Sequence, residues 1–211
     1  MSNEWEIDNL PNRLTMFRVV LIPIIIFSLF AVNQKYPWAV EHINLLNYLA
    51  AWTFVMASIT DFLDGFIARK KNIVTVFGSF LDPIADKFLV ISALIMLQAM
   101  DRVNVLVVLI LVLREMYITA LRLLAMEKGI SVPVGALGKW KTATQMVGIP
   151  LLMADDVPFG INMPVLGTIA IYLASLFSLY SAIEYSIGLL KKIQKLRKEK
   201  KATKAKLQSK E

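Results

Sequence analysis

Between Leu14 and Val32 the one charged residue is Arg18. At roughly 1.5 Å per residue this run makes a helix about 30 Å long, the thickness of a bilayer's hydrocarbon core. Further runs of this kind extend from Asn44 to about Ala68, Asp82 to Met100, Val103 to about Met126, Lys139 to Met153 and Met163 to about Leu190. The 211-residue chain is 57% hydrophobic, with a mean hydropathy of +0.60, which is too apolar for a soluble domain. The expected fold is all-α: a polytopic membrane protein with six transmembrane helices. Residues 1–12, polar but with Trp5 and Ile7, are expected to form a short interfacial helix that Leu10-Pro11-Asn12 stops or redirects. Residues 13–190 then form the membrane domain and 191–211 a basic tail.

Charges are concentrated where the second run meets the third. Asp61 to Asp86 reads DFLDGFIARKKNIVTVFGSFLDPIAD. Asp61 and Asp64 share one face of a helix, with Gly65, Ala68 and Arg69 beside them, and Asp82 and Asp86, four apart, share another. The segment from Lys70 to Val76 is polar and basic enough to turn between two helices, so that two carboxylates face two. Gly65 and Gly78 remove side chains where backbones or a substrate come close. Four carboxylates this near hydrocarbon repel one another unless something positive lies between them. A divalent metal is the simplest candidate, because hard cations take oxygen ligands. Solvated carboxylates at helix ends would be the bland reading. The chain has no cysteine and one histidine, His42, so thiolate and His-rich sites are excluded.

The net charge of +7 sits largely in the tail, from Lys191 to Lys210. No aromatic residue interleaves with these lysines and arginines, which argues against nucleic acid and for a membrane-surface anchor. With the N-terminus inside, the inner segments hold Arg13, Arg69, Lys70, Lys71, Lys128, Lys139, Lys141 and the tail, whereas the outer links hold Lys35 and Arg102. This asymmetry predicts both termini, and all four motif carboxylates, on the cytoplasmic side.

A second constellation is expected on that side. Arg114 follows only about 16 Å of apolar helix, so it should line a cavity rather than face lipid. Arg122 is two turns further on, and Lys139 and Lys141 open the fifth run. A positive pocket at this depth attracts phosphate, which Arg binds bidentately. The competing reading is a charge pair between Arg114 and Glu115, with the remaining cations as positive-inside anchors.

The pattern D-x2-D-G-x2-A-R-x8-G-x3-D-x3-D, formed here by Asp61, Asp64, Gly65, Ala68, Arg69, Gly78, Asp82 and Asp86, resembles the signature of the CDP-alcohol phosphotransferase family. The resemblance implies two divalent metal ions, magnesium with manganese as an alternative, held by Asp61, Asp64, Asp82 and Asp86. It implies that Asp61 and Asp82 bridge both ions. It implies that Asp86 is the general base, an assignment that the position of Asp86 on the open helix face also favours. Asn12, Asp61, Gly65, Arg69, Thr75 and Asp82 match positions that bind CDP-diacylglycerol. Further positions, from Pro11-Asn12-x-Leu14-Thr15-x2-Arg18 to Arg114-Glu115 and Gly138-Lys139-x-Lys141-Thr142, resemble members whose acceptor is sn-glycerol 3-phosphate. Arg114, Lys139 and Lys141 would hold that acceptor's phosphate. The resemblance further implies a bacterial cytoplasmic-membrane enzyme among membrane lipids, working as a homodimer. Phosphatidylglycerol, inositol phosphate or serine as acceptor is the near alternative. A cation transporter with intramembrane carboxylates is the distant one, although no internal repeat is visible.

Overall fold

The structure, a computed structural model, describes residues 10–71, 76–127, 130 and 135–208, with side chains placed for 14–63, 84–127, 130, 135, 137–195 and 198. Among these residues there are seven α-helices and no strand: α1 (Leu10–Asn33), α2 (Pro37–Glu41), α3 (Ile43–Lys71), α4 (Val76–Ala99), α5 (Val105–Glu127), α6 (Ala136–Ala154) and α7 (Met163–Gln208), with a 3-10 turn at Pro158–Gly160. This is an all-α membrane protein. Leu14–Asn33, Ile43–Leu63 and Met163–Lys195 are long and apolar enough to cross a bilayer. The other three expected spans, α4, α5 and α6, have 24, 23 and 19 residues, enough to cross by length, but α5 carries Arg114, Glu115 and Arg122 and α6 carries Lys139 and Lys141.

Two helix starts differ from the sequence reading. Leu10, Pro11 and Asn12 belong to α1 itself, because a proline in a helix's first turn has no hydrogen bond to lose. The expected interfacial helix around Trp5 and Ile7 lies outside the described residues. The fourth helix starts at Val76 rather than Asp82, since the apolar stretch before Asp82 continues the helix, and Pro83 is therefore interior. The last helix runs for 46 residues, from the sixth expected span on into the basic tail. Apart from Ile193 and Thr203, its basic end is made of Lys, Arg, Glu, Gln, Ala and Leu, which are good helix formers, with no Gly or Pro after Gly188.

The chain forms two compact units. The first comprises the chain up to Val108 together with Thr144–Ile171, and the second Leu109–Ala143 together with the chain from Tyr172 onward. In the first unit α1 packs against α3 and α4, burying Ile25, Leu29, Phe54, Leu89, Leu94 and Leu97. Phe27, Trp52 and Phe62 remain exposed, as lipid-facing side chains do. Lipid tails are as apolar as Leu, so close fit and polar ties hold such helices together more than hydrophobic burial does. Gly148 and Gly167 supply the close fit between α6 and the start of α7. A Cβ on Gly167 would lie 2.7 Å from Leu152 Cγ and 3.0 Å from the Gly148 carbonyl oxygen.

Arg102 supplies the polar tie. Its Nη1 donates to the carbonyls of Leu152 and Met153 at 3.1 and 2.9 Å, and its Nη2 to Asn47 Oδ1 at 3.2 Å. Asp155 Oδ2 is 2.9 Å from Nη2. The carbonyls belong to the last turn of α6, where a helix leaves acceptors unsatisfied and favours a cation. Burial pulls the Arg102 guanidinium below its ordinary value, and Asp155 opposes that shift. Nearby, the Tyr48 hydroxyl donates to Asp156 Oδ2 at 2.7 Å. In the second unit α5 meets α7 through Ile118, Ala125, Ile130, Tyr185 and Leu189, with the Arg122 guanidinium 5.9 Å above the Tyr185 ring.

Candidate active site

Asp61 lies where α3 turns from apolar to charged sequence. The packing of α1 on α3 sets it against Arg18, with Nη1 2.6 Å from Asp61 Oδ1; the arginine side chain is 0% exposed and the aspartate 37%. An arginine enclosed this completely needs a charged partner, because an uncompensated buried charge is strongly destabilising. The sequence reading placed Arg18 in the first span and gave it no partner. The signal was present, since Arg18 is the lone charge in an apolar run and intramembrane charges pair with one another.

Asp64, Gly65 and Arg69 lie in the last turns of α3, and Gly78 and Asp82 in the first turns of α4, each described by its backbone. The helical backbone keeps Asp61 with Asp64, and Asp82 with Asp86, on common faces, as their spacings predicted. Asp86 is partly buried beside Ala85 and Leu89 and makes interactions within the protein. Asn12 is in the first turn of α1, also described by its backbone, and Thr75 lies outside the described residues. An all-oxygen donor set fits a hard divalent cation, and Asp61 keeps more than a third of its side chain open beside Arg18. Among the described residues, which include the side chains of Asp61 and Asp86 but not those of Asp64 and Asp82, no group of three or more Asp, Glu or His is placed to hold a metal.

The second constellation is built on α5, α6 and α7 within the second unit. Arg114 donates from Nη1 to Glu115 Oε2 at 3.2 Å and from Nη2 to Ser181 Oγ at 2.5 Å. Lys141 Nζ donates to the same Glu115 Oε2 at 2.7 Å. Arg114, Lys141 and Glu115 have side chains 10%, 7% and 28% exposed. Of the predicted phosphate ligands, Arg114 and Lys141 are therefore brought together. Lys139 is exposed, because two residues along a helix amount to about 200° and put it on the other side of α6 from Lys141. Arg122 is also exposed, over Tyr185. Ser181 was missed by the sequence reading. Its only sequence-level mark is the spacing of Ser175, Ser178 and Ser181, three hydroxyls buried on α7.

Residues 8–180 match the family described as CDP-alcohol phosphatidyltransferase. A Bacillus subtilis protein named CDP-diacylglycerol–glycerol-3-phosphate 3-phosphatidyltransferase is 37% identical over 182 residues, which is 84% of this chain and 93% of that protein. Proteins of the same name from Rickettsia prowazekii and Haemophilus influenzae are 41% identical over 179 residues and 33% identical over 181, each across 84% of this chain and 93% and 91% of their own length. The chain belongs to the CDP-alcohol phosphatidyltransferase family.

Proposed function

We propose that this enzyme transfers the phosphatidyl group of CDP-diacylglycerol to sn-glycerol 3-phosphate, giving phosphatidylglycerophosphate and CMP. The names of relatives that match across most of the chain support this reading. The structural observation that supports it is the buried pair of cations Arg114 and Lys141, which share the single carboxylate of Glu115 and whose charge favours a phosphorylated acceptor over serine.

Asp61, Asp64, Asp82 and Asp86 would hold two divalent ions, magnesium or manganese. When bound, these ions neutralise the pyrophosphate and the charge gathering on the leaving phosphate. Arg18 holds the Asp61 carboxylate in one orientation. Asn12, Gly65, Arg69 and Thr75 bind the nucleotide end of the lipid. Arg114 and Lys141 hold the acceptor's phosphate, and exposed Lys139 draws the anion in from the cytosol. Asp86 takes the proton from the acceptor's hydroxyl. That oxygen bonds to the phosphorus bearing the diacylglycerol as the bond from phosphorus to CMP breaks.

The protein is integral to the membrane, and the carboxylates and both termini face the bacterial cytoplasm. Single cysteines introduced at Gln34 and Gln208 should show this in intact cells: the first reacts with an impermeant thiol reagent and the second does not. Labelling at Gln208 from outside would reverse the orientation.

The reaction is tested by giving the purified protein CDP-diacylglycerol, a divalent metal and one acceptor at a time. Glycerol 3-phosphate should yield CMP and phosphatidylglycerophosphate, and serine neither. Turnover with inositol phosphate in place of glycerol phosphate would change the acceptor. No CMP from any acceptor would favour cation transport.

A further inference from the structure

Glu115 occupies the place where an anion belongs in the second unit. Arg114 and Glu115 are neighbours in sequence, so their side chains leave α5 about 100° apart. They nevertheless meet, because Glu115 Oε2 serves both Lys141 Nζ at 2.7 Å and Arg114 Nη1 at 3.2 Å. One carboxylate oxygen thus engages both cations on which the acceptor subsite depends. Other polar groups around α5 and α7 are left over. Arg114 Nε is buried without a hydrogen-bond partner, and so is Ser178 Oγ, whose residue is 0% exposed. Ser178 lies one turn from Ser181, the residue that takes the other arm of the Arg114 guanidinium. Buried polar groups normally find partners, so these two groups are left unused beside cations that already hold one carboxylate.

We infer that Glu115 is a resident counter-anion that a phosphate monoester must displace from Arg114 and Lys141, and that it thereby sets the preference for a phosphorylated acceptor. The inference rests on the reading that these two cations hold the acceptor's phosphate. A phosphate monoester near neutral pH carries close to two negative charges and three strong acceptor oxygens, against one charge and two oxygens for a carboxylate. It can replace Glu115 and also reach the unused donors. A carboxylate ligand would exchange like for like against a competitor already tethered at the site, and tethering gives that competitor a high effective concentration. An uncharged polyol would displace nothing. Glu115 touches no reacting atom in this scheme. It determines specificity by the price it sets on entry.

The test is calorimetric titration of purified full-length protein with inorganic phosphate, and separately with D-glycerate, in metal-free buffer without nucleotide lipid. Glu115→Gln should tighten phosphate binding by about tenfold, the scale of one charge-assisted contact no longer competed for. It should also make glycerate binding measurable, narrowing the discrimination between the two anions. Arg114→Ala should abolish phosphate binding. If Glu115→Gln weakens phosphate binding while Arg114→Ala abolishes it, Glu115 merely positions the cations, and the inference falls while the acceptor site stands. If Arg114→Ala leaves phosphate binding intact, the acceptor site itself falls, and the inference with it. Glu115→Asp keeps the charge but shortens the reach, so it should tighten phosphate binding to a smaller degree. Should the glutamine variant fail to fold, unchanged or weaker phosphate binding in the aspartate variant overturns the inference.

Discussion

Arg102 and Arg114 have side chains exposed to the same degree, 10% each, but their surroundings differ. Both terminal nitrogens of Arg102 are engaged twice, on two helix-end carbonyls, an amide oxygen and a carboxylate. Arg114 has a carboxylate and a serine hydroxyl, and its Nε has nothing. An arginine whose two terminal nitrogens are each engaged twice by the protein acts as part of the scaffold. One buried with its Nε unpaired bears a cost in stability that a bound anion would offset, which is how the proposed acceptor site uses Arg114. Burial alone does not separate the two cases; the use made of each donor does.

Substitutions sharpen this contrast if each moves either turnover and binding or melting, but not both. The largest effect is expected at Asp86. Asp86→Asn is nearly isosteric and should lower kcat by roughly 10²–10⁴-fold at saturating metal and substrates, the scale of a positioned base, while the melting temperature stays near the wild type. Normal turnover under those conditions would remove Asp86 as the base. Next comes Arg114→Ala, which should raise the KM for glycerol 3-phosphate by about 100-fold, as expected for hydrogen bonds to a charged group. The KM for CDP-diacylglycerol and the melting temperature should barely move. Arg102→Met should do the opposite, costing about 2–3 kcal/mol of stability in denaturation with both KM values unchanged. A matching KM defect in the two arginine variants would break the comparison.

The smallest effect belongs to Tyr48→Phe, followed by thermal melts against pH. The Tyr48 hydroxyl, and then the Val157 backbone N–H, hold the Asp156 carboxyl below its ordinary range. A depressed carboxylate stabilises the folded state above its unfolded value, near ~3.9, and that contribution is lost as pH falls through the depressed value. The gap between wild type and Tyr48→Phe should therefore be widest at neutral pH and narrow below about pH 4. A gap independent of pH would mean that the hydroxyl contributes without the charge.

The sequence made the helices and the carboxylate pairs legible because both are local. Asp61 with Asp64 and Asp82 with Asp86 need only helical periodicity to share faces. The opposite placement of Lys139 and Lys141 was equally readable from two residues of helix, but grouping them by charge alone obscured it. Arg114 could be read as a cavity-lining charge from its depth in the apolar run. That Glu115 serves Lys141 as well as Arg114 could not, because α5 and α6 had first to be packed. The same holds for Arg18 with Asp61, which depends on how α1 lies against α3. The start of α4 was placed at Asp82, at the edge of the apolar run, whereas the residues from Val76 onward already carry the helix through Pro83.

The Arg102 tie has a consequence for redox chemistry. It joins α3, the end of α6 and the loop after it at a single point, the work that a disulfide cross-link does in many secreted domains. Here the cross-link is ionic and the chain has no cysteine. This fastening is therefore indifferent to reductants and oxidants, and no thiol exchange can mispair it during assembly. It also leaves the polypeptide a blank background for thiol labelling. A cysteine introduced at any exposed position reports on its own surroundings, and no native bond has to be removed to make room for it.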